Sequence, residues 1–201
     1  MGISPKQFEE IEKRLKSGGR RAVSPVETTA ATRLPHGTMI LGLDPSLRGT
    51  GWAVIEAGTR PLAVAYGTIK NPARWDRSRC LLQISLRLRE ILREHPASVC
   101  ALEGLFFAQN LQTALIMGEA RGAAICAIAE AGLELFELAP RKVKQAIVGY
   151  GGAQKIAVAK MVQRMLRLTV LPDPDAADAL ALALTYAQET GRHILNPPKR
   201  V

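Results

Sequence analysis

The chain reads as an α/β protein, a mixed five-stranded sheet flanked by helices. Two observations predict it. Three short apolar runs follow one another between residues 39 and 69 with turn residues between them, the pattern of an antiparallel meander. Beyond them, segments with the 3.6-residue apolar period alternate with two further strand-like runs, so the order is βββαβαβααα.

Each element has its own signal. The first strand, Met39-Ile40-Leu41-Gly42-Leu43, closes on Asp44; the turn Arg48-Gly49-Thr50-Gly51 leads into Trp52-Ala53-Val54-Ile55, and a third run covers 62–69. From Arg77 to Arg93, Leu81, Ile84, Leu88, Ile91 and Leu92 recur at helical spacing with arginines between them, until His95-Pro96 stops the helix. A buried strand over 98–103 precedes a helix from about Asn110 to Ala131, and 133–138 is the fifth strand. Pro140 suits the first turn of a short helix that ends near Gly149. Gly151-Gly152 breaks the chain before a helix over 154–168, and Pro172 separates that from a last helix, Asp175 to about Thr190. Residues 1–38 read as a basic, mobile N-terminal extension, 39–190 as the domain and 191–201 as a C-terminal tail.

At 201 residues and 47% hydrophobic composition, one domain with a sizeable core is expected. Lys and Arg number 27 against 18 Asp and Glu, a net charge of +9, which favours a polyanionic partner: nucleic acid first, an anionic membrane second. No stretch approaches the roughly 20 apolar residues that span a bilayer, and the N-terminus has no signal-peptide core. A soluble cytoplasmic protein is expected. Cys80, Cys100 and Cys126 lie in apolar segments without a close pair and read as reduced core thiols, so a zinc site is not expected.

Four carboxylates stand at the edges of hydrophobic segments. Asp44 closes the first strand, Glu103 closes Val99-Cys100-Ala101-Leu102, and Asp175 and Asp178 open the alanine-rich run to Ala187. Singly, each has an ordinary explanation: Asp44 before Pro45 and Glu103 before Gly104 suit turns, and Asp175 and Asp178 suit the positive end of a helix. Jointly they suggest more. Positions i and i+3 share a helical face, so Asp175 and Asp178 can both point at a cluster built by Asp44 and Glu103. Acids converging at buried strand ends repel one another unless divalent cations bind between them.

With that arrangement, Gly42-Leu43-Asp44-Pro45-Ser46, Ala101-Leu102-Glu103 and Asp175-Ala176-Ala177-Asp178-Ala179-Leu180 resemble the ribonuclease H-like superfamily. Gln109-Asn110, Gly118-Glu119-Ala120-Arg121-Gly122, Pro140-Arg141-Lys142-Val143-Lys144-Gln145 and Gly149-Tyr150-Gly151-Gly152-Ala153-Gln154-Lys155 narrow the resemblance to the RuvC family of bacterial Holliday-junction resolvases, over roughly Met39 to Tyr186. The resemblance implies a ribonuclease H-like sheet and a magnesium-dependent endonuclease. The enzyme would act as a homodimer and cut two opposed strands of a four-way DNA junction during recombination and repair. A further partner implied is the RuvA–RuvB branch-migration complex. Asp44, Glu103, Asp175 and Asp178 take the family's acidic places. Ser46 departs from the usual glycine after Asp-Pro, but a serine can occupy a turn.

Two Mg²⁺ ions roughly 3.5–4 Å apart can activate water, clamp a phosphate and stabilise the leaving oxygen; Mn²⁺ is the natural substitute. Asp44 is assigned to bridge them, Glu103 to one side, Asp175 and Asp178 to the other. Arg141, Lys142, Lys144, Lys155 and Lys160 read as a phosphate-facing ridge rather than as solvated surface. Phe107 reads as core, whereas Phe106 matches the family's aromatic near the active site and would stack on an unpaired base. Gly118, Ala120, Gly122, Ala123 and Ala124 permit close helix approach, and part of the dimer interface is expected there. The alternatives are a ribonuclease H-like nuclease for another nucleic acid, such as an RNA–DNA hybrid, and a junction-binding protein without catalysis.

Overall fold

The computed structural model describes residues 34–104, 110–190 and 198–201, all within the compact unit Ala31–Val201. The N-terminal extension up to residue 33, most of the C-terminal tail, Phe106 and Phe107 lie outside the described residues.

The strands are β1 (Met39–Asp44), β2 (Gly49–Glu56), β3 (Leu62–Lys70), β4 (Val99–Glu103), β5 (Glu134–Leu138) and β6 (Lys199–Arg200). They form one sheet in the order β3-β2-β1-β4-β5-β6. β1, β2 and β3 make the antiparallel meander; β1, β4 and β5 run parallel. The sheet thus has one strand more than the sequence predicts. β6 lies against Phe136 and Glu137, with Arg200 paired to Glu134 at 2.7 Å, and two residues are too few to show a strand's alternation. β2 also starts earlier than expected. Gly49 to Gly51 belong to the strand rather than to the turn, and the last helix lies against both glycines.

Among the described residues five helices cover the sheet: α1 (Arg77–Glu94), α2 (Leu111–Glu130), α3 (Pro140–Val148), α4 (Lys155–Leu166) and α5 (Pro174–Glu189). Strand side chains alternate between faces, which divides the core in two. Leu41, Leu43, Val54, Cys100 and Leu102 meet Ile84 and Leu88 of α1 and Ala120, Ala124 and Ile128 of α2. Ile40, Ala53, Ile55, Val99 and Ala101 meet α3, α4 and α5 through Val143, Ile147, Val158, Val162 and Leu180. β1 is central and covered on both sides, so Ile40 to Leu43 are all buried and its sequence runs apolar instead of alternating.

Capping accounts for the helix ends. Asn110 caps α2 by accepting from the Thr113 N–H at 2.8 Å, and Gly149 ends α3 with φ 97°, a left-handed conformation that glycine adopts without strain. The small residues of α2 divide differently from the expectation. Ala120 and Ala124 are fully buried in the chain's own core, while a Cβ added at Gly118 or Gly122 would meet nothing within 4 Å. Cys80 and Cys100 are buried and free as expected, but Cys126 is exposed, because it lies on the outer side of a helix that is apolar nearly all round. Among the described residues no helix is long and apolar enough to cross a membrane.

Candidate active site

The parallel pairing of β1 and β4 sets Gly42 beside Ala101 and Leu43 beside Leu102, so the next residues on the two strands are Asp44 and Glu103. By strand alternation both acids face the side covered by α5, the side of Ile40 and Ala101. α5 brings the third acid. From Ala176 to Tyr186 every residue is buried except Asp178, a charge placed in an otherwise apolar helix.

Two glycines let α5 approach closely enough. A Cβ on Gly42 would lie 2.0 Å from the Ala179 carbonyl oxygen, and one on Gly51 would lie 1.9 Å from that of Asp175. With Ala179 seated on Gly42, its neighbour Asp178 is delivered to the strand ends. A glycine inside a strand is the signal of such an approach.

Asp44 and Glu103 share a hydrogen bond, and burial, the charge of Glu103 and that of Asp178 push the Asp44 carboxyl up to about 8, against a smaller opposing effect of Lys155. Burial also raises Glu103; the bond from Asp44 and the ammonium groups of Lys155 and Lys144 act the other way, while Asp178 adds to the rise. Lys155, at the start of α4, donates to Asp178 Oδ2 at 2.7 Å, and that bond is the main reason its pKa rises.

The structure thus brings Asp44, Glu103, Asp178, Lys155 and Lys144 into one electrostatic neighbourhood. Asp175, in the first turn of α5, makes a different contact. Its carboxylate is turned towards β2, where a Cβ on Gly49 would come within 2.6 Å of Oδ2. Nor do the basic residues form a single ridge. Successive helical positions are rotated by about 100°, so Lys142 and Lys144 project in different directions from α3. Lys142 pairs with Glu189 at 2.8 Å, Lys144 acts on Glu103, and the stem of Arg141 lies over Gly151. Ser46 occupies its turn without left-handed backbone: its N–H donates to Thr50 Oγ1 at 3.2 Å, and that hydroxyl donates back to the Ser46 carbonyl at 2.7 Å. Phe106 lies outside the described residues.

The donor chemistry suits a hard divalent cation. Among the described residues no three His, Cys, Asp or Glu side chains form a metal-holding group, but Mg²⁺ needs only one or two carboxylates and keeps its remaining waters. Asp44 and Glu103 are such a pair. Both carboxyls hold their protons chiefly because burial penalises the charged form, with the negative charge of Asp178 adding to the rise, and a bound cation would offset both effects.

A family model described as crossover junction endodeoxyribonuclease RuvC matches residues 40–186. The chain belongs to the RuvC family. RuvC of Akkermansia muciniphila is 43% identical over 148 residues, covering 73% of this chain and 89% of its own length. RuvC of Herminiimonas arsenicoxydans is 46% identical over 149 residues, 74% of this chain and 82% of that one. The structure of T. thermophilus RuvC in complex with Holliday junction substrate superposes with a TM-score of 0.72 at 30% identity, covering 82% of this chain and 99% of that chain. Yeast mitochondrial Ydc2, at 10% identity and a TM-score of 0.58, shares the fold. The sheet and helices therefore constitute the ribonuclease H-like fold of RuvC structures, and RuvC nucleases depend on a divalent metal.

Proposed function

We propose that this chain resolves Holliday junctions, nicking opposed strands of four-way DNA as a homodimer in cytoplasmic recombination and repair, alongside the RuvA–RuvB branch-migration complex. The reading rests on one observation above all: a half-buried Asp44–Glu103 pair, faced by Asp178 and flanked by Lys144 and Lys155. The net charge of +9 and the relatives' activity as crossover junction endodeoxyribonucleases support it.

Asp44, Glu103 and Asp178 are the proposed holders of two Mg²⁺ ions, with Mn²⁺ as a substitute, and Asp175 joins them by turning its carboxylate away from Gly49. Such ions supply an activated water and charge neutralisation at the phosphate. Lys144 and Lys155 would bind the DNA backbone beside the acids, with Arg141 and Lys142 further along it and Phe106 stacking on an unpaired base. For Lys155, a phosphate would replace Asp178 as the partner of the ammonium group.

Cleavage of a four-way junction, a linear duplex and an RNA–DNA hybrid, each with and without Mg²⁺, tests the reading. Metal-dependent paired nicks in the junction alone are expected; preferential cutting of the hybrid would return the protein to the wider nuclease class, and binding without cutting to a non-catalytic role. Lys144→Ala and Lys155→Ala should each weaken junction binding at low salt and flatten the dependence of log Kd on log salt by roughly one unit. Titrations that keep both affinity and slope would remove these lysines from the interface. Paired nicks on a two-fold junction need two sites related by the same symmetry. Light scattering should accordingly give the mass of a dimer, and a monomer that stays monomeric on the junction would contradict paired nicking.

A further inference from the structure

Arg121, on α2, is held as a surface arginine would not be. Its side chain is 12% exposed, its guanidinium donates to the backbone carbonyl of Glu103, and the second terminal nitrogen lies 3.2 Å from Glu137 Oε1 on β5. Burying a cation is unfavourable unless it is paired and hydrogen-bonded, and here one partner ends β4, which carries Glu103, and the other stands on the adjacent β5 opposite Leu102. The peptide joining Glu103 to Gly104 is gripped at both ends. Arg121 takes its carbonyl, and its N–H donates to the Leu138 carbonyl at 2.9 Å. Pairing with β1 stops at Leu102, so at Glu103 the sheet continues on the β5 side alone and the backbone needs another restraint.

We infer that Arg121 is a positioning residue for Glu103: it fixes the last peptide of β4 and thereby aims the carboxylate beside Asp44, while Glu137 holds the guanidinium in place. The inference rests on the nuclease reading, and it makes the seating of α2 a determinant of the acidic site. A lysine at this position can reach one partner but cannot fork to both.

The test uses the full-length protein with Arg121→Lys and, in case that variant is poorly folded, Glu137→Gln. Junction affinity without divalent metal and the unfolding temperature should stay close to wild type. Mn²⁺ binding to the protein–junction complex, read by electron paramagnetic resonance, should weaken about tenfold, and the single-turnover cleavage rate should fall by about 10²-fold, the scale for partners that orient ligands and for small misplacements at a reacting centre. Wild-type Mn²⁺ affinity and rate in both variants would overturn the inference. So would losses that track unfolding and failing junction affinity in both, which mark a purely structural arginine. If the wild-type chain leaves junctions uncut, the nuclease reading fails, and the Mn²⁺ comparison still decides whether Arg121 orders the acids.

Discussion

Asp44→Asn is expected to lose cleavage by on the order of 10³-fold or more while binding junctions as wild type does, since several kcal/mol of metal-derived stabilisation vanish with one charge and each 1.36 kcal/mol is tenfold in rate. Asparagine keeps the shape of the side chain and leaves Lys144 and Lys155 untouched. Glu103→Gln should behave alike, and single-turnover rates with a junction in Mg²⁺ decide. Near-wild-type cutting in Asp44→Asn would remove Asp44 from the site. The same variant carries a second, opposite effect on stability. The Asp44 carboxyl is raised from an ordinary 3.8 to about 8, chiefly by burial, so in the absence of metal the unfolded chain releases this proton more readily than the folded one. Stability therefore falls as pH rises from about 4 to about 8 and levels off above. Asparagine has no proton to lose. In EDTA, Asp44→Asn should unfold at a higher temperature than wild type near pH 8, with the difference shrinking towards pH 4. A gap independent of pH would mean that Asp44 is not strained by its surroundings.

The parts of the site that were legible in the sequence are those that burial makes conspicuous. Asp44 and Glu103 end apolar runs that must be strands, and parallel pairing through Leu43 and Leu102 leaves them side by side. Asp178 is legible as a charge at the opening of the alanine-rich run, whereas Gly42, two residues before Asp44, reads only as one letter of the strand until α5 is seen to rest on it. What could not be read depends on rotation and on distant partners. Spacing puts Asp175 and Asp178 on one helical face, yet at the first turn of α5 the Asp175 carboxylate meets Gly49 of β2. A cluster of basic letters over 141–144 suggests a ridge, whereas helical rotation sends Lys142 to Glu189 and Lys144 towards Glu103. Arg121 lies 18 residues beyond Glu103 within a motif of small residues, and its contact with that strand end needs the packing of α2 to be known.

Gly42→Ala is expected to be strongly disruptive, because the added methyl meets the backbone of α5. The new Cβ would lie 2.0 Å from the Ala179 carbonyl oxygen and 2.9 Å from the Ala183 nitrogen, both backbone atoms of α5, so no side chain can rotate out of the way. The helix must lift from β1. Overpacking of a tight core costs typically about 1–3 kcal/mol, occasionally more, and at roughly 2–4 °C per kcal/mol for a chain of this size the unfolding temperature should drop by about 2–12 °C. Cleavage should fall beyond what lost stability explains, because lifting α5 carries Asp178 away from Asp44 and Glu103. Gly118→Ala provides the contrast. Nothing lies within 4 Å of its added Cβ, its φ is not positive, and alanine is the better helix former by roughly 1 kcal/mol, so that variant should be neutral or slightly more stable. Calorimetry on both variants, with cleavage rates at a temperature where each is folded, separates packing from chemistry. If Gly42→Ala unfolds and cuts like wild type, α5 is not seated on β1 at Ala179, and Asp178 owes its position to something other than the glycine contact.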